Sequence, residues 1–283
     1  MKKFLALMLA LVMTSVLLVA CGGSNNATEA PTEAPTEAPT TAPTDAVDPE
    51  SDLGYILNKG TLVVGITDFA PMDFKDDNGN WIGFDADLAK EFGEYLGVAV
   101  EFSEIKWANK VLELDGKTID CVWNGMTLTD EVMAAMSTSV PYCRNEQVVI
   151  VKGDAADQYA SAEDCKSLKF AVEQGSAGKD QAEENEFEYI EVKDQATALM
   201  EVAAGTADAA IIDSSMAAAM VGKGTDYENL TAVLTLNSEE YGVGFRKDSN
   251  VTEAFNTFYA AALADGTVDE IAELYNIAGM LIK

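Results

Sequence analysis

Residues 61–102 read TLVVGITDFAPMDFKDDNGNWIGFDADLAKEFGEYLGVAVEF, and this stretch predicts a strand, a helix and a second strand in succession. Residues 61–67 are an apolar run rich in β-branched side chains, which is typical of a buried strand. Residues 85–96 place apolar side chains three and four positions apart, which is the spacing of an amphipathic helix. Residues 98–102 return to the strand pattern. Because a crossover helix usually joins parallel strands, we predict a parallel β-α-β unit.

The same alternation continues along the rest of the chain and then starts again. Further strands are predicted at 119–123, 148–151, 168–172, 189–192 and 209–212, and further helices at 107–114, 129–136, 178–186, 194–204, 214–221, 251–263 and 268–275. Two series of such units predict an α/β protein with two lobes. Ligands of open α/β sheets bind beyond the carboxyl ends of the strands, so we expect a site in the cleft between the lobes.

The composition excludes several classes of function. The chain of 283 residues has 48 acidic and 18 basic residues, no histidine and a formal charge of −30. Without histidine there is no Ser-His-Asp or Cys-His nucleophile pair and no histidine-bearing zinc site. The excess of acids argues against nucleic acid as a partner, because affinity for phosphates comes mainly from Lys and Arg. No cofactor or metal is expected.

The N-terminus has the pattern of a secretory signal. After Met1-Lys2-Lys3, residues 4–20 form an almost unbroken apolar run that ends at Ala20, before Cys21 and two glycines. The run is shorter than the roughly 20 residues that span a bilayer. Its ending resembles the lipobox of bacterial lipoproteins, which implies cleavage before Cys21 and lipidation of its thiol. The alternative is a plain signal anchor in which the cysteine occurs by chance.

Residues 21–52 are predicted to be a tether. The tetrapeptide Thr-Glu-Ala-Pro begins at Thr28 and recurs at Thr32 and Thr36. Proline at every fourth position prevents a helix, and the acidic residues repel one another, so an extended conformation is expected. Together with a lipid on Cys21, this predicts a protein anchored to the outer face of the cell membrane.

Three further cysteines, Cys121, Cys143 and Cys165, follow in the folded part. Their odd number leaves at least one thiol unpaired, and the sequence does not choose a pair. For Cys121, which lies in an apolar strand, we favour a small buried hydrophobic side chain.

Several motifs in residues 53–283 resemble, in order and at matching spacing, the bacterial solute-binding protein family 3. They are ITDFAP (66–71), NWIGFDADLA (80–89), KTID (117–120), NGMTLTD (124–130), QGS (174–176), GTADAA (205–210) and ADGT (264–267). Members of this family are the receptors of polar amino-acid ABC importers, so the resemblance implies a small-molecule ligand and a membrane permease as partners.

The resemblance also implies a two-lobed periplasmic-binding-protein fold of type II. Two crossover strands would join lobe 1, residues 53–143 plus 239–283, to lobe 2, residues 144–238. The lobes would close on the ligand like a hinged clam, and the permease would recognise the closed form. A monomer is expected.

The family's pattern assigns site residues in this chain. Asp213 is implied as the acceptor of the ligand's α-ammonium, although an aspartate at a strand end is often only a helix cap. Phe69 and Trp107 match positions whose rings enclose the ligand side chain, with core packing as the alternative for Trp107. Backbone groups are implied at Asn124, Gly125 and Thr127. The turn at Ser176-Ala177 matches one that holds an anion at a helix start.

One position departs from the family's pattern. The family places an arginine three residues after the equivalent of Thr129, where it binds the ligand carboxylate in bidentate fashion. This chain has Val132 there. Arg144, near the first predicted crossover, is a speculative replacement, and the alternative is a surface arginine. Either such a cation substitutes or the ligand lacks an ordinary α-carboxylate.

The leading hypothesis is therefore a lipid-anchored receptor, not an enzyme, that delivers an amino acid or a related small amine-bearing solute to an ABC importer. One alternative is an enzyme, since some relatives of this fold are dehydratases of cyclohexadienyl acids. Their substrates are dianions, whereas this chain has only two arginines, Arg144 and Arg246. The other alternative is the ligand-sensing module of a signalling system.

Overall fold

The computed structural model describes residues 47–283. The predicted signal peptide, Cys21 and the tether up to residue 46 lie outside the described residues. The helices are α1 (Asp52–Lys59), α2 (Phe84–Leu96), α3 (Lys110–Asp115), α4 (Asp130–Ala135), α5 (Ala162–Cys165), α6 (Ala177–Glu184), α7 (Gln195–Ala204), α8 (Ser214–Met220), α9 (Val251–Asp265) and α10 (Thr267–Leu274). The strands are β1 (Thr61–Ile66), β2 (Phe74–Lys75), β3 (Trp81–Ile82), β4 (Ala99–Glu104), β5 (Cys121–Thr127), β6 (Ser137–Thr138), β7 (Cys143–Asn145), β8 (Gln147–Lys152), β9 (Lys169–Glu173), β10 (Glu188–Val192), β11 (Ala209–Asp213), β12 (Leu230–Thr235) and β13 (Glu239–Phe245).

The first sheet contains the predicted β-α-β unit. Its strand order is β4-β1-β5-β13-β6, with β7 also paired to β13. The pairs β1–β4 and β1–β5 are parallel, whereas β13 runs antiparallel to β5. Strand β13 therefore comes from the C-terminal part of the chain and lies next to the strands of the N-terminal part.

The second sheet has the order β10-β9-β11-β8-β12. Strands β9, β10 and β11 are parallel, and β8 is antiparallel to both β11 and β12. The chain passes from the first sheet to the second between β7 and β8, and it returns between β12 and β13. The α/β class and the two-sheet architecture agree with the sequence analysis.

The local sequence accounts for how the main helices begin and end. Thr129 accepts a hydrogen bond from the N–H of Val132 and caps α4, so this helix begins where the predicted helix 129–136 begins. Gly97 ends α2 in the left-handed conformation, with φ at 72°. The predicted helix at 107–114 differs in detail, because its first turn, Trp107–Asn109, is a 3₁₀-helix before α3 begins.

The core of the first sheet is aromatic. Phe92 on α2 packs against Phe255 and Phe258 on α9, with ring centroids 5.4 and 5.2 Å apart. Phe255 also meets Trp123 of β5 at 5.0 Å. These contacts hold the C-terminal helix α9 on the first sheet, although chain order alone did not say which lobe it would join.

Arg246 has a structural role just after β13. Its guanidinium group donates to Asp52 Oδ1 at 2.6 Å, to Asp120 Oδ1 at 3.0 Å and to the carbonyl oxygen of Ile119 at 2.7 Å. The residue is 8% exposed. Arg246 therefore joins the start of α1 to the loop before β5, and its donors are used inside the fold.

The three cysteines of the folded part, Cys121, Cys143 and Cys165, are all buried and unpaired. Burial raises the pKa of the Cys121 thiol well above its ordinary value. The prediction of a small buried side chain at Cys121 is confirmed, and none of the three forms a disulfide with another. None of the helices within residues 47–283 is long and apolar enough to cross a bilayer.

Candidate ligand-binding site

A cavity of about 270 Å³ is lined by residues of both sheets and of the segments that follow their strands. Its walls include Thr67 and Phe69 after β1, Trp107, Ala108, Lys110 and Val111, Asn124 to Thr127 of β5, Thr129, Glu131 and Val132, Glu173 at the end of β9, Gly175, Ser176, Ala177, Lys179 and Asp180, Gln195, and Asp213 at the end of β11. The volume lies just below the usual range for small-molecule sites, roughly 300–1,000 Å³. The cavity therefore suits a ligand of amino-acid size.

Eight of the nine site residues predicted from the sequence line this cavity. They are Phe69, Trp107, Asn124, Gly125, Thr127, Ser176, Ala177 and Asp213. Arg144 is an exposed residue of β7 and does not line the cavity. In the register of the sheet it lies opposite Glu240 of β13. With Arg246 used inside the fold, neither arginine lies in the cavity wall.

Asp213 is a buried carboxyl group with four hydrogen-bond donors. Its Oδ1 accepts from Tyr241 Oη at 2.7 Å, from Gln147 Nε2 at 3.0 Å and from Asn145 Nδ2, and its Oδ2 accepts from Gln195 Nε2. Burial, assisted by the nearby Glu239, raises the pKa of Asp213 to about 7, although the donors favour the charged form. Asp213 is therefore a preorganised acceptor in the cavity wall.

Glu239 of β13 extends this polar network. Its Oε1 accepts from Asn145 Nδ2 at 2.7 Å, from Gln147 Nε2 at 2.8 Å and from Thr127 Oγ1 at 2.9 Å. Both amide groups also donate to Asp213, so the two carboxyl groups share their donors. Because Glu239 belongs to β13 and Asp213 to β11, the network joins the two sheets beside the cavity.

The wall formed by β5 is fixed by hydrogen bonds inside the protein. Asn124 accepts from the N–H of Thr67 at 2.9 Å and donates to Asp73 Oδ2 at 2.7 Å. The N–H of Gly125 donates to Asp85 Oδ2 at 2.6 Å. The resemblance implies backbone donors and acceptors for a ligand in this segment, but the N–H of Gly125 is not available to a ligand.

Burial raises the pKa values of two acids behind this wall, Asp73 and Asp85. It raises the pKa of Asp73 well above its ordinary range, and the neighbouring Asp85 adds to the shift. It raises the pKa of Asp85 to about 7, against the hydrogen bonds from Gly125 and Tyr142. The two acids therefore position the cavity wall from behind.

Gly125 permits a close approach of Phe69. Gly125 has a φ of 52°, and a Cβ atom on this residue would lie 2.4 Å from Cε1 of the Phe69 ring. Any larger side chain would displace the ring. Phe69 is 3% exposed and meets Tyr241 edge to face at 6.5 Å. The aromatic side of the cavity is therefore tightly packed.

The turn after β9 forms the opposite wall. Ser176 caps α6 by accepting from the N–H of Lys179 at 3.2 Å, and its hydroxyl donates to the carbonyl oxygen of Glu173 at 2.9 Å. The first N–H groups of a helix have no partner within the helix, so the start of α6 offers donors to an anion. A Cβ on Gly175 would lie 2.9 Å from Cα of Ala108, so this turn touches the 3₁₀-helix of the first wall.

Lys110 is a cation in the cavity wall that the sequence analysis did not identify. Its Nζ donates to the carbonyl oxygen of Gly175 at 3.0 Å and lies 4.8 Å from the centroid of the Trp107 ring. Burial lowers the pKa of Lys110, while Glu173, Asp180 and Glu131 act to raise it. The other lysine of the wall, Lys179, is paired with Glu183 at 2.6 Å.

Glu173 is a second buried carboxyl group that the sequence analysis missed. Burial raises the pKa of Glu173 well above its ordinary range, and Asp213 and Asp194 add to the shift. The only available signals were its position at the predicted strand end and its place next to Gln174-Gly175-Ser176. Lys110 likewise follows Trp107 by three residues, but nothing in the local pattern indicated that either side chain enters the cavity.

No group of three or more His, Cys, Asp or Glu side chains in residues 47–283 has the arrangement of a metal site. What the described part of the cavity offers is two buried acids, two aromatic rings, a helix start and the Lys110 ammonium group. An α/β protein with such a cavity at the ends of its strands is a binding protein for a small solute.

Comparisons with known proteins identify the family. The sequence profile of the bacterial extracellular solute-binding proteins, family 3, matches residues 62–277. The chain belongs to this family. Its members are extracellular or periplasmic receptors, and a substrate-binding receptor is the class to which this protein belongs.

Two curated relatives illustrate the similarity. The chain is 28% identical to an L-cystine-binding protein of Escherichia coli strain K12 over 229 residues, which cover 79% of this chain and 85% of the relative. It is 27% identical to an arginine-binding extracellular protein of Bacillus subtilis strain 168 over 263 residues, or 90% of this chain and 91% of the relative. Both relatives are named as binding proteins rather than enzymes.

Solved structures agree in fold. A mutant of the arginine-binding protein from T. maritima has a TM-score of 0.74 and 30% identity, and the match covers 80% of this chain and 99% of the other. An ancestral amino-acid-binding protein, described as a precursor of cyclohexadienyl dehydratase, has a TM-score of 0.73 and 34% identity, with 80% and 99% coverage. The two-lobed periplasmic-binding-protein fold is therefore shown.

Proposed function

We propose that this protein captures an amino acid or a related small amine-bearing solute between its two lobes and delivers it to the permease of an ABC importer. Relatives named for cystine, arginine and histidine binding support an amino-acid ligand. The single observation that carries the proposal is the buried Asp213 in the wall of an amino-acid-sized cavity.

Asp213 would accept the ammonium group of the ligand. Its carboxyl group is 3% exposed and no ion pair involves it among the described residues. A buried carboxylate is stabilised when a cation pairs with it. A ligand ammonium would supply that cation, and Phe69 and Trp107 would cover the apolar part of the ligand.

The carboxylate of an amino-acid ligand would meet the start of α6 rather than an arginine. Ser176 and Ala177 begin this helix at the cavity wall. Lys110 lies at the neighbouring Gly175, so its ammonium group would replace the positive charge that Val132 does not provide. The opposite wall, formed by Asn124, Gly125 and Thr127, would contact the ligand from the other side.

Hinge closure would bring the two walls together. In this proposal lobe 1 is residues 53–143 plus 239–283 and lobe 2 is residues 144–238. A ligand that touches both lobes binds the closed form more tightly and shifts the population toward it. The permease would bind that closed form. A catalytic role is not part of the proposal, because the curated relatives are named as binding proteins.

We also propose that Cys21 carries the lipid that holds the protein on the outer face of the membrane, with residues 22–52 as the tether. Labelled palmitate should enter the protein in cells, and Cys21→Ala should abolish labelling and release the protein from the membrane fraction. Equal membrane retention of the variant would overturn the anchor without affecting the ligand site.

A thermal-shift screen of the purified protein with amino acids, diamines and betaines would test the ligand class. A ligand at 100 times its Kd adds about 2.7 kcal/mol to the free energy of unfolding, which is a clear shift in Tm. Absence of a shift with every amine-bearing compound would contradict the proposal. Asp213→Ala should remove the response to amines, and an unchanged response would exclude Asp213 from the site.

A further inference from the structure

Glu173 is a buried carboxyl group whose Oε1 has no hydrogen-bond partner among the described residues. Glu173 ends β9, is 3% exposed and lines the cavity. No ion pair within residues 47–283 involves it. Lys110 acts to lower the pKa of Glu173, but no hydrogen bond or ion pair joins the two side chains among the described residues. A buried carboxylate oxygen without a donor carries a desolvation cost, and a cationic group of the cavity's occupant would supply the donor that Oε1 lacks.

The surroundings of Glu173 concentrate negative charge at one end of the cavity. Strand β9 lies beside β11 in parallel, so Glu173 and Asp213 end neighbouring strands. The amide of Gln195 donates to Asp213 Oδ2, and the same side chain acts against the raised pKa of Glu173. Two buried acids therefore share one neutral bridging residue.

We propose, on the basis of the proposed function, that Glu173 is a second cation subsite and that the solute carries a positively charged group in addition to the amine bound by Asp213. One ammonium group would leave one of the two buried acids unpaired. Two positive groups would pair both. The other acids of the wall, Glu131 and Asp180, are exposed, so water screens them.

The charges of the cavity balance for an amino acid with a cationic side chain. Its carboxylate would meet Lys110 and the start of α6, its α-ammonium Asp213, and its side-chain cation Glu173. A neutral side chain would leave the Glu173 carboxyl group buried without a donor. A diamine would also pair both acids, but it would lack the carboxylate that contacts Lys110 and the start of α6.

Matched pairs of probes test the proposal. The pairs are L-lysine with L-norleucine, L-arginine with L-citrulline, and cadaverine with pentylamine, each measured by calorimetry with the full mature protein. Members of a pair have similar shapes and differ in the second positive charge. We expect the cationic member to bind about 10- to 100-fold more tightly, which is the range for a charge-assisted hydrogen bond.

Variants locate the effect at Glu173. Glu173→Gln removes the charge and keeps the shape, so we expect the preference within each pair to disappear while the neutral member still binds. Glu173→Asp should retain part of the preference. Glu188→Gln, at an exposed position on β10, should leave it unchanged.

The outcomes separate this proposal from the proposed function. Equal affinity within each pair, tighter binding of the neutral members, or a preference that persists in Glu173→Gln would overturn the second subsite, while the receptor function stands. No binding of any of the six probes would overturn the second subsite, and the thermal-shift screen would still decide the proposed function. The preference of the wild-type protein tests the proposal even if the Glu173 variants fail to fold.

Discussion

The Nζ of Lys110 donates a hydrogen bond to the carbonyl oxygen of Gly175 at 3.0 Å, across the cavity from the segment after β4 to the turn after β9. Next to it, Ala108 lies so close to Gly175 that a Cβ on the glycine would come within 2.9 Å of Cα of Ala108. The two walls of the cavity thus meet directly at this point. We infer that closure and ligand binding both depend on it.

Replacing Lys110 tests the source of positive charge in the cavity. Lys110→Met keeps the length of the side chain and removes its charge, so affinity for a ligand with a carboxylate should fall about 10- to 100-fold. Affinity for the corresponding amine without a carboxylate should change much less. Calorimetry with lysine and cadaverine separates the two effects. Lys152→Met, at an exposed position outside the cavity wall, is the control.

An equal loss for both ligands would contradict a carboxylate contact at Lys110. It would indicate instead that this lysine only holds the two walls together through Gly175.

Gly175→Ala tests the close approach of the walls. The φ of Gly175 is 73°, so alanine costs about 1–2 kcal/mol there through backbone strain alone. Its methyl group would in addition collide with Ala108, and ligand affinity should fall at least tenfold because the cavity cannot close fully. Small-angle scattering with saturating ligand should show a larger radius of gyration than for the wild type.

Gly97→Ala is the matched control for this prediction. Gly97 has a φ of 72°, and a Cβ atom on this residue would have no neighbour within 4 Å among the described residues, so alanine there carries the strain without the collision. Equal affinity losses in the two variants would show that the contact with Ala108 has no part in binding.

The raised pKa of Asp213 predicts how affinity depends on pH. This pKa is about 7, above the ordinary value of about 3.9, so acid pH protonates the carboxyl group that the ammonium needs. Affinity should therefore rise with pH, about tenfold per unit below 7, and level off above. Burial also raises the pKa of the neighbouring Glu173 well above its ordinary range, whereas the Tyr241 hydroxyl, whose pKa is raised well above its ordinary value, stays neutral.

Calorimetry at pH 5.5, 6.5 and 7.5 measures this dependence. Asp213→Asn should bind at least tenfold more weakly at pH 7.5 and respond less to pH, whereas the exposed Asp157→Asn should behave as the wild type. Tighter binding at acid pH would rule out an ionised Asp213 as the acceptor. The stability of the ligand-free protein should depend on pH in the opposite direction. Because the pKa of Asp213 is higher in the folded than in the unfolded state, this group stabilises the folded protein at low pH, and the contribution is lost as the pH rises to about 7.

The two arginines form a matched pair for a prediction on stability. Arg246→Met leaves Asp52 without its ion-pair partner and Asp120 with Lys59 alone, in a nearly buried site, so the free energy of unfolding should fall by about 3–5 kcal/mol. Arg144→Met changes an exposed residue outside the cavity wall and should alter neither stability nor ligand affinity. Denaturant unfolding and calorimetry measure both quantities. A loss of affinity in Arg144→Met would revive this arginine as a ligand contact.

The local sequence was enough to predict the elements that carry the site. The β-α-β pattern of residues 61–102, the Thr129 cap and the strand end at Asp213 each depend on neighbours in the chain. Since parallel strands bring their carboxyl ends to one edge, residues at those ends could be expected to meet, and eight of the nine named residues line one cavity. Their ligand contacts stay predictions.

Only the tertiary structure decided which charged side chains line the cavity. Strand β13 pairs with β5 more than a hundred residues away in the chain. This pairing places Glu239 where it shares hydrogen-bond donors with Asp213, and Arg246, just after the strand, donates to Asp120 outside the cavity wall. Lys110 meets Gly175 across 65 residues. Such long-range contacts leave no periodic signal in the sequence, because burial and charge pairing depend on which surfaces pack together. The sequence by itself determined the lobes' building units and the absence of an arginine at Val132. The fold determined that the charged side chains of Lys110 and Glu173 line the cavity.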